Sequence, residues 1–275
     1  MREFINNIEH YEHLIAREKE GCTLKNINCY FMPSQIDTLI AKKQLSYLAT
    51  DTVLCIFHDQ GIYQRLYLFI DAGAAELDFP QFSETAVTDF PGVNGRLPEK
   101  SIKAIEALRK NGFILNDKTY RMVKPLESGE DIIVIPSDDI TLYAATIEQR
   151  SQIYDVWRGA FDFATNLIPD EIDLIEHIKA GNVLCAFSGD SLIGVVQADI
   201  IGEDAFLRHL AVDINYRNKQ IGNALRVAWL TLAQDRGAKR CLLWVSGDNE
   251  AALNSYTKRG YTFDGRYSEQ YIINN

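Results

Sequence analysis

Apolar residues recur along this chain in two rhythms, one near every third or fourth position and one at every second, and the two alternate from end to end. Phe4, Ile5, Ile8, Tyr11, Leu14 and Ile15 fall on one side of a helical wheel, which predicts an amphipathic helix over Met1–Lys19. A short helix is expected over Pro33–Lys43, opened by Ser34 as its N-cap. Val53–His58 and Tyr63–Ile70 read as strands turned back by Asp59-Gln60-Gly61. Asp71–Pro98 is rich in Gly, Pro and acidic residues without a period, so most of it is expected to be loop. Glu99–Asn111 is a helix stopped by Gly112, followed by strand-like Phe113–Leu115 and Thr119–Val123. Lys124–Asp139, with the turn-like Ser128-Gly129-Glu130, reads as a connection between domains.

The second half returns to the same order. Strand Thr141–Thr146 leads to helices Ile147–Phe161 and Pro169–Ala180, then to a hairpin of Val183–Ser188 and Ser191–Ile201. Strand Ala205–Asp213, helix Gln220–Arg236, strand Lys239–Ser246, helix Glu250–Arg259 and the strands Tyr261–Phe263 and Arg266–Ile273 follow. Alternating strands and helices imply an α/β (α+β) fold with mixed central sheets flanked by helices. A degenerate repeat supports two copies. Pro33–Asp37 before Val53–Phe57 parallels Pro169–Asp173 before Val183–Phe187, and Ala104 to Phe113 parallels Ala252 to Tyr261. The first copy is shorter across its middle by about one helix. Two domains are expected, residues 1–130 and 139–275.

With 275 residues, 47% of them hydrophobic, the chain has enough apolar surface for two such cores. A net charge of −10 disfavours nucleic acid and anionic membranes as partners. No stretch is apolar for long enough to span a membrane, and residues 1–20 are studded with charge, unlike a signal peptide. Cys22, Cys29, Cys55, Cys185 and Cys241 are scattered, with no C-x-x-C and no zinc spacing, so no metal is expected and a cytoplasmic location is.

Candidate chemistry sits in the part that only the second half has. Strand Leu207–Val212 runs through Asp213–Tyr216 into Arg217-Asn218-Lys219-Gln220-Ile221-Gly222-Asn223-Ala224 and a long helix. The first N–H groups of that helix lack intrahelical acceptors and carry about half a positive charge, which makes an anion site. Gly222 and Ala224 leave room for a bulky phosphate, while Arg217 and Lys219 add charge; an ordinary solvated basic turn is the alternative.

From about Thr141 to Asn275 the chain resembles the GNAT N-acyltransferase superfamily. The family's pyrophosphate motif, Q/R-x-x-G-x-G/A, reads here Arg217-Asn218-Lys219-Gln220-Ile221-Gly222, with Gln220 standing where glycine is usual. The resemblance implies two GNAT-like lobes and coenzyme A, as acetyl-CoA, held by Leu210, Ala211 and Val212, by Arg217 through Ala224, and by Asn249. In the family, the strand at Leu210-Ala211-Val212 pairs with the pantetheine arm because its neighbour splays away. A tyrosine at the Tyr256 position protonates the departing thiolate. Tyr256 follows Asn249 by about two helical turns, so both can face one groove; a half-buried aromatic is the other reading of Tyr256. His209 is a candidate general base or simply a packed strand histidine, and Glu203 and Asp204 read as turn residues. Trp157, Phe161 and Phe163 line an acceptor pocket or belong to a core. His58 and His177 have no supporting context. The first half, with Leu108 in the place of Tyr256 and no counterpart of the turn, looks like a degenerate lobe.

The expected activity is transfer of an acyl group, most simply acetyl, from its CoA thioester to the amine of a small molecule or peptide by direct attack in a ternary complex. A non-catalytic CoA-binding sensor is the alternative, and a pure interaction protein a third class. The retained Tyr256 favours the enzyme, and Gln220 favours the sensor.

Overall fold

A computed structural model of the chain describes residues 2–16, 18–19, 22–31, 33–126, 139–163 and 166–274; the expected turn at Ser128-Gly129-Glu130 lies outside them. The chain divides into two units, one of Met1–Tyr120, Ser246–Asp248 and Gly265–Asn275, the other of Arg121–Val245 and Asn249–Asp264.

The first unit holds β1 (Glu3–Phe4), α1 (Ile8–Ile15), β2 (Glu18–Lys19), β3 (Cys22–Asn26), α2 (Pro33–Ala41), β4 (Leu45–Ala49), β5 (Val53–Asp59), β6 (Gln64–Asp71), β7 (Ala86–Val93) and α3 (Glu99–Lys110). It also takes the first part of β8 (Ile114–Pro125). The single helix expected over residues 1–19 is corrected. Glu3 and Phe4 pair with Tyr47 and Ser46, and the helix starts only after Asn7, whose side chain accepts the His10 N–H at 2.7 Å. The loop expected over 71–98 is corrected too, because β7 lies within it. Its Ala86, Val87, Thr88 and Phe90 are buried, its acidic Asp89 is paired with Arg65, and Gly92 leaves room for the Tyr267 ring. Asp89, Pro91 and Gly92 hide the alternation from a reading of polarity alone.

The second unit holds the rest of β8, β9 (Ile140–Ala144), α4 (Arg150–Arg158), α5 (Glu171–Lys179), β10 (Val183–Ser188), β11 (Ser191–Ile201), β12 (Asp204–Val212), α6 (Ile221–Asp235), β13 (Arg240–Ser246), α7 (Glu250–Thr257) and the start of β14 (Thr262–Ile273). Ile221, Leu225 and Trp229 of α6 bury one face of its sheet against Ile193, Val196 and Leu207. Trp157 of α4 and Leu174 of α5 bury the opposite face against Val195 and Ala211. Strands with both faces covered explain the long apolar runs of β10 and β11.

Taken separately, the two units have one topology. The strand order β1-β4-β5-β6-β7 and the strand order β9-β10-β11-β12-β13 each contain three antiparallel pairings and then one parallel one. This corrects the register of the repeat. The counterpart of Val183–Ser188 is Leu45–Ala49, and Val53–Asp59 corresponds to Ser191–Ile201. Leu45-Ser46-Tyr47-Leu48-Ala49 mixes polar with apolar positions and gives no strong strand signal, so the next apolar run takes its place in a sequence comparison. The real difference lies between the parallel strands. Residues 72–85 join β6 to β7 without a helix, whereas α6 joins β12 to β13.

Candidate functional site

The site starts from an irregularity in β12. Gln197 faces His209 and Ala198 faces Leu207, so Arg208 is an extra residue, a β-bulge. The bulge resets the alternation of side chains. Before it, Ala205 and Leu207 pack on the α6 face; after it, Leu210 and Val212 take that face, while Ala211 packs towards α4 and α5. The parallel ladder to β13 covers only Asp204↔Arg240 to Leu207↔Leu243. From Arg208 on, β12 has no ladder on that side among the described residues. The Asp213 N–H goes to the Ile193 carbonyl of β11 at 2.9 Å. By the two-residue period of an antiparallel ladder, the peptide groups of Leu210 and Val212 therefore point into the gap beside β13.

Past the strand, Asp213 accepts the Asn215 N–H at 2.8 Å and shapes a short turn into α6. Asn218 and Gln220 both have φ of 62°. Gln220 thus adopts the left-handed backbone that glycine takes most easily, and the turn keeps its shape at a local cost. As N-cap residue, Gln220 supplies no side-chain hydrogen bond to α6. The first intrahelical bond runs from the Ala224 N–H to the Gln220 carbonyl, so the N–H groups of Ile221, Gly222 and Asn223 end the helix without intrahelical acceptors. A Cβ built on Gly222 would come no closer than 3.4 Å to Val212, so no protein atom forbids a side chain there, and the glycine keeps the approach to these N–H groups clear.

The other residues expected at the turn divide between exposure and packing. Ile221 and Ala224 are buried in the core beneath, contributing backbone rather than side chain to the turn. The exposed Arg217 folds back, donating to the Val212 carbonyl at 3.2 Å and the Gly159 carbonyl at 3.3 Å. Lys219 lies over the Tyr216 ring, 4.8 Å from its centroid. Asn223 accepts from two guanidinium groups, Arg226 and Arg259, each at 3.0 Å.

Asn249 caps α7, its Oδ1 accepting the Ala252 N–H at 3.0 Å. Tyr256, half-buried at the far end of α7, packs on the α6 core and meets Tyr261 edge to face at 5.4 Å. Its hydroxyl has no hydrogen-bond partner among the described residues. Burial, helped by Cys241, pushes the phenol up to about 12, and the charges of Arg226 and Arg259 pull the other way. At neutral pH it keeps its proton.

His209 lies on the opposite face of the sheet from Tyr256, 5.6 Å from both the Trp157 and the Phe161 rings. Its Nδ1 pairs with Gln197 Oε1 at 2.8 Å. Burial, and then the Arg208 charge, bring the imidazole down to about 4, so it is neutral at physiological pH. Trp157 is fully buried, with Phe161 and Phe163 packed against the same core. Glu203 and Asp204 pair with Lys239 and Arg240.

Several residues near the site escape a reading of the sequence. Gln197 reaches Asp199, which binds Arg208 at 2.8 Å and His177 at 3.1 Å. The hydrogen bond to Asp199 holds the His177 pKa above its usual value against burial. Burial works to raise the Asp199 carboxyl, but its bonds to His177 and Arg208 prevail and hold it low. Arg226, a charged residue in the apolar run Ala224-Leu225-Arg226-Val227, was the one legible signal of the polar cluster at Asn223.

Cysteine chemistry has no support among the described residues. Cys29, Cys55, Cys185 and Cys241 are buried free thiols, and burial pushes Cys241 up to about 11 and Cys185 up to about 12. No group of three or more His, Cys, Asp or Glu able to hold a metal ion occurs among the described residues.

Residues 150–261 match the acetyltransferase (GNAT) family. A 90-residue stretch is 28% identical to the spermidine N(1)-acetyltransferase of Thermoplasma acidophilum; it covers 33% of this chain and 56% of that protein. The chain is similar in fold to a tandem GNAT protein from the clavulanic acid biosynthesis pathway, with TM-score 0.58 and 12% identity over 99% of this chain and 98% of that one. It is also similar to a GCN5-related N-acetyltransferase from Sphaerobacter thermophilus, with TM-score 0.57 and 13% identity over 84% and 80% of the two chains. The segment that carries the splayed strand, the turn into α6 and Tyr256 is the one that matches the GNAT acetyltransferase family.

Proposed function

We propose that the second unit is an N-acetyltransferase that takes acetyl-CoA as donor and an amine of a small molecule or peptide as acceptor. The observation that carries this reading is the conjunction of a free β12 edge at Leu210–Val212 with the uncapped N-terminus of α6 one turn further on. An extended amide-bearing arm fits the first, and a pyrophosphate fits the second. Leu210, Ala211 and Val212 would hold the arm through backbone groups. The N–H groups of residues 220–223 would hold the phosphates, with Ala224 packed beneath, Arg217, Asn218 and Lys219 at the rim and Asn249 alongside. Acetyl-CoA supplies an activated acyl thioester.

The chain's own groups then have separable roles. Val212 presents its backbone N–H to polarise the acyl carbonyl. Tyr256, which keeps its proton at Oη, would offer a hydrogen-bond donor to the leaving sulfur. Full transfer from a phenol near 12 to a thiolate of ordinary pKa ~8.5 is uphill by about 5 kcal/mol. The useful act is therefore hydrogen-bond donation to the developing charge, while the proton that the attacking amine sheds on forming the amide balances the one that the departing thiolate takes up. His209 is a weak proton acceptor for an alkylammonium of pKa ~10.4, with a gap worth about 9 kcal/mol. The acceptor then reacts as the free amine after losing its proton to water, and His209 shapes the acceptor end with Trp157 and Phe161.

A polyamine acceptor fits both the acidic balance of the chain and the spermidine-acetylating relative. The first unit, lacking a helix between its parallel strands, supports the fold without catalysing. Gln220 at the phosphate turn favours a second reading, a CoA-binding sensor without turnover. Calorimetric titration with acetyl-CoA, followed by turnover of Tyr256→Phe, tests the proposal. Binding near one site per chain and a loss of kcat by more than tenfold at constant CoA affinity are expected. Unchanged turnover removes Tyr256 from its role, and binding without turnover on any amine leaves the sensor.

A further inference from the structure

In the first unit the parallel pair is even shorter than its counterpart. Gln64↔Ala86 and Arg65↔Val87 are the two rungs of β6 with β7. β14 pairs with the other edge of β7 along its whole length, from Ala86 with Ile273 to Val93 with Arg266, and beyond Val87 β7 has no ladder with β6, which leaves the edge of β6 from Leu66 onward. This is the place in the fold where β12 keeps its free edge in the second unit. Here the edge is filled by the chain itself.

Leu24, Lys25 and Asn26 pair antiparallel with Asp71, Ile70 and Phe69. The Ile27 N–H continues the ladder to the Leu68 carbonyl at 2.9 Å. Asn28 then replaces a backbone rung with its side-chain amide. Its Oδ1 accepts the Leu68 N–H at 2.8 Å, and its Nδ2 donates to Thr88 Oγ1 at 2.8 Å and the Asp89 carbonyl at 2.9 Å. One residue thus bridges both splayed strands, and it is buried. At the vertex of the splay the Arg65–Asp89 ion pair closes the gap, with Gln270 donating to Asp89 at 3.2 Å. Lys100, in the first turn of α3, donates to the Asn26 carbonyl.

We propose that residues 24–28 are a built-in strand that fills the β6/β7 gap, so that the first unit is closed to an extended ligand arm and the chain carries a single CoA, in the second unit. A buried amide satisfied on both sides costs more to remove than an ordered water, because every group it bridges would be left unpaired. A pantetheine arm offers only a few secondary amides in its chain, and has no primary carboxamide side group like that of Asn28 to span from β6 to Thr88.

The stoichiometry rests on the reading of the second unit as the CoA site; the filled gap does not, and hydrogen exchange on the wild-type chain tests it alone. The amides of Ile27 and Leu68 should exchange at least a hundredfold more slowly than free peptide, with no ligand present. Asn28→Ala should raise the Leu68 rate by about tenfold. Unprotected exchange at both amides in the wild type overturns the proposal without any variant. Native mass spectrometry of the full chain with CoA should show one CoA per chain, and none on Gly222→Leu. Two per chain, or one retained by Gly222→Leu, overturns the closure of the first unit. No CoA on the wild type, with the two amides protected, would instead remove the reading of the second unit and leave the built-in strand standing.

Discussion

Replacing Gln220 by glycine should both stabilise the protein and open the turn that leads into α6. At φ 62° and ψ 4° the residue is in the left-handed region, where a Cβ costs roughly 1–2 kcal/mol. Glycine removes that cost but adds freedom to the unfolded chain, an offset of about 0.4–1 kcal/mol. The net gain is about 0.5–1 kcal/mol, a rise of roughly 2 °C in the melting temperature of a chain this long. Gln220→Ala is the control. It keeps a Cβ at the same φ and therefore gains nothing in stability, while it clears the long side chain from the turn just as glycine does. Scanning calorimetry on the three proteins reads the strain. Titration with CoA reads the crowding, where a tightening shared by alanine and glycine belongs to the side chain and one confined to glycine belongs to the backbone. A glycine variant that melts below wild type, or an alanine variant that matches glycine in stability, refutes the strain argument.

His209 should remain neutral down to about pH 5, seen as constant imidazole chemical shifts; a midpoint between 6 and 7 would contradict its burial between Trp157 and Phe161. His177 has a folded pKa above its unfolded value. The stability it gives is therefore fully present below pH ~6.5 and is lost as pH rises through the raised folded value. Urea titrations should show His177→Gln costing stability at pH 5.5 and little at pH 9, and an equal cost at both would disconnect His177 from Asp199.

Much of the local geometry of the candidate site was legible because it is set by near neighbours in the chain. Arg217 to Gly222 is one contiguous turn, and the seven-residue step from Asn249 to Tyr256 is set by a single helix. Most strand and helix positions in the second half follow from apolar runs bounded by Gly189, Gly237 and Gly260. What escaped was non-local. The mixed segment Leu45–Ala49 is a strand because β5 and Glu3–Phe4 pair with it on either side. β7 hides its acid because Arg65, more than twenty residues earlier in the chain, neutralises it. The β-bulge at Arg208, which decides the face on which His209 falls, depends on register with β11 and leaves no mark in the composition. Asn28 looks like any loop asparagine until the gap it spans is known.

In the proposed function the free edge of β12 and the start of α6 hold the acyl donor for transfer to an amine. Thiol release from acetyl-CoA, followed with and without polyamines and other primary amines, tests it most directly. Amine-dependent release is expected of the wild type, and its loss in Gly222→Leu, whose side chain would stand over the N–H groups of α6. Release that is indifferent to amine, or that survives in Gly222→Leu, would contradict it.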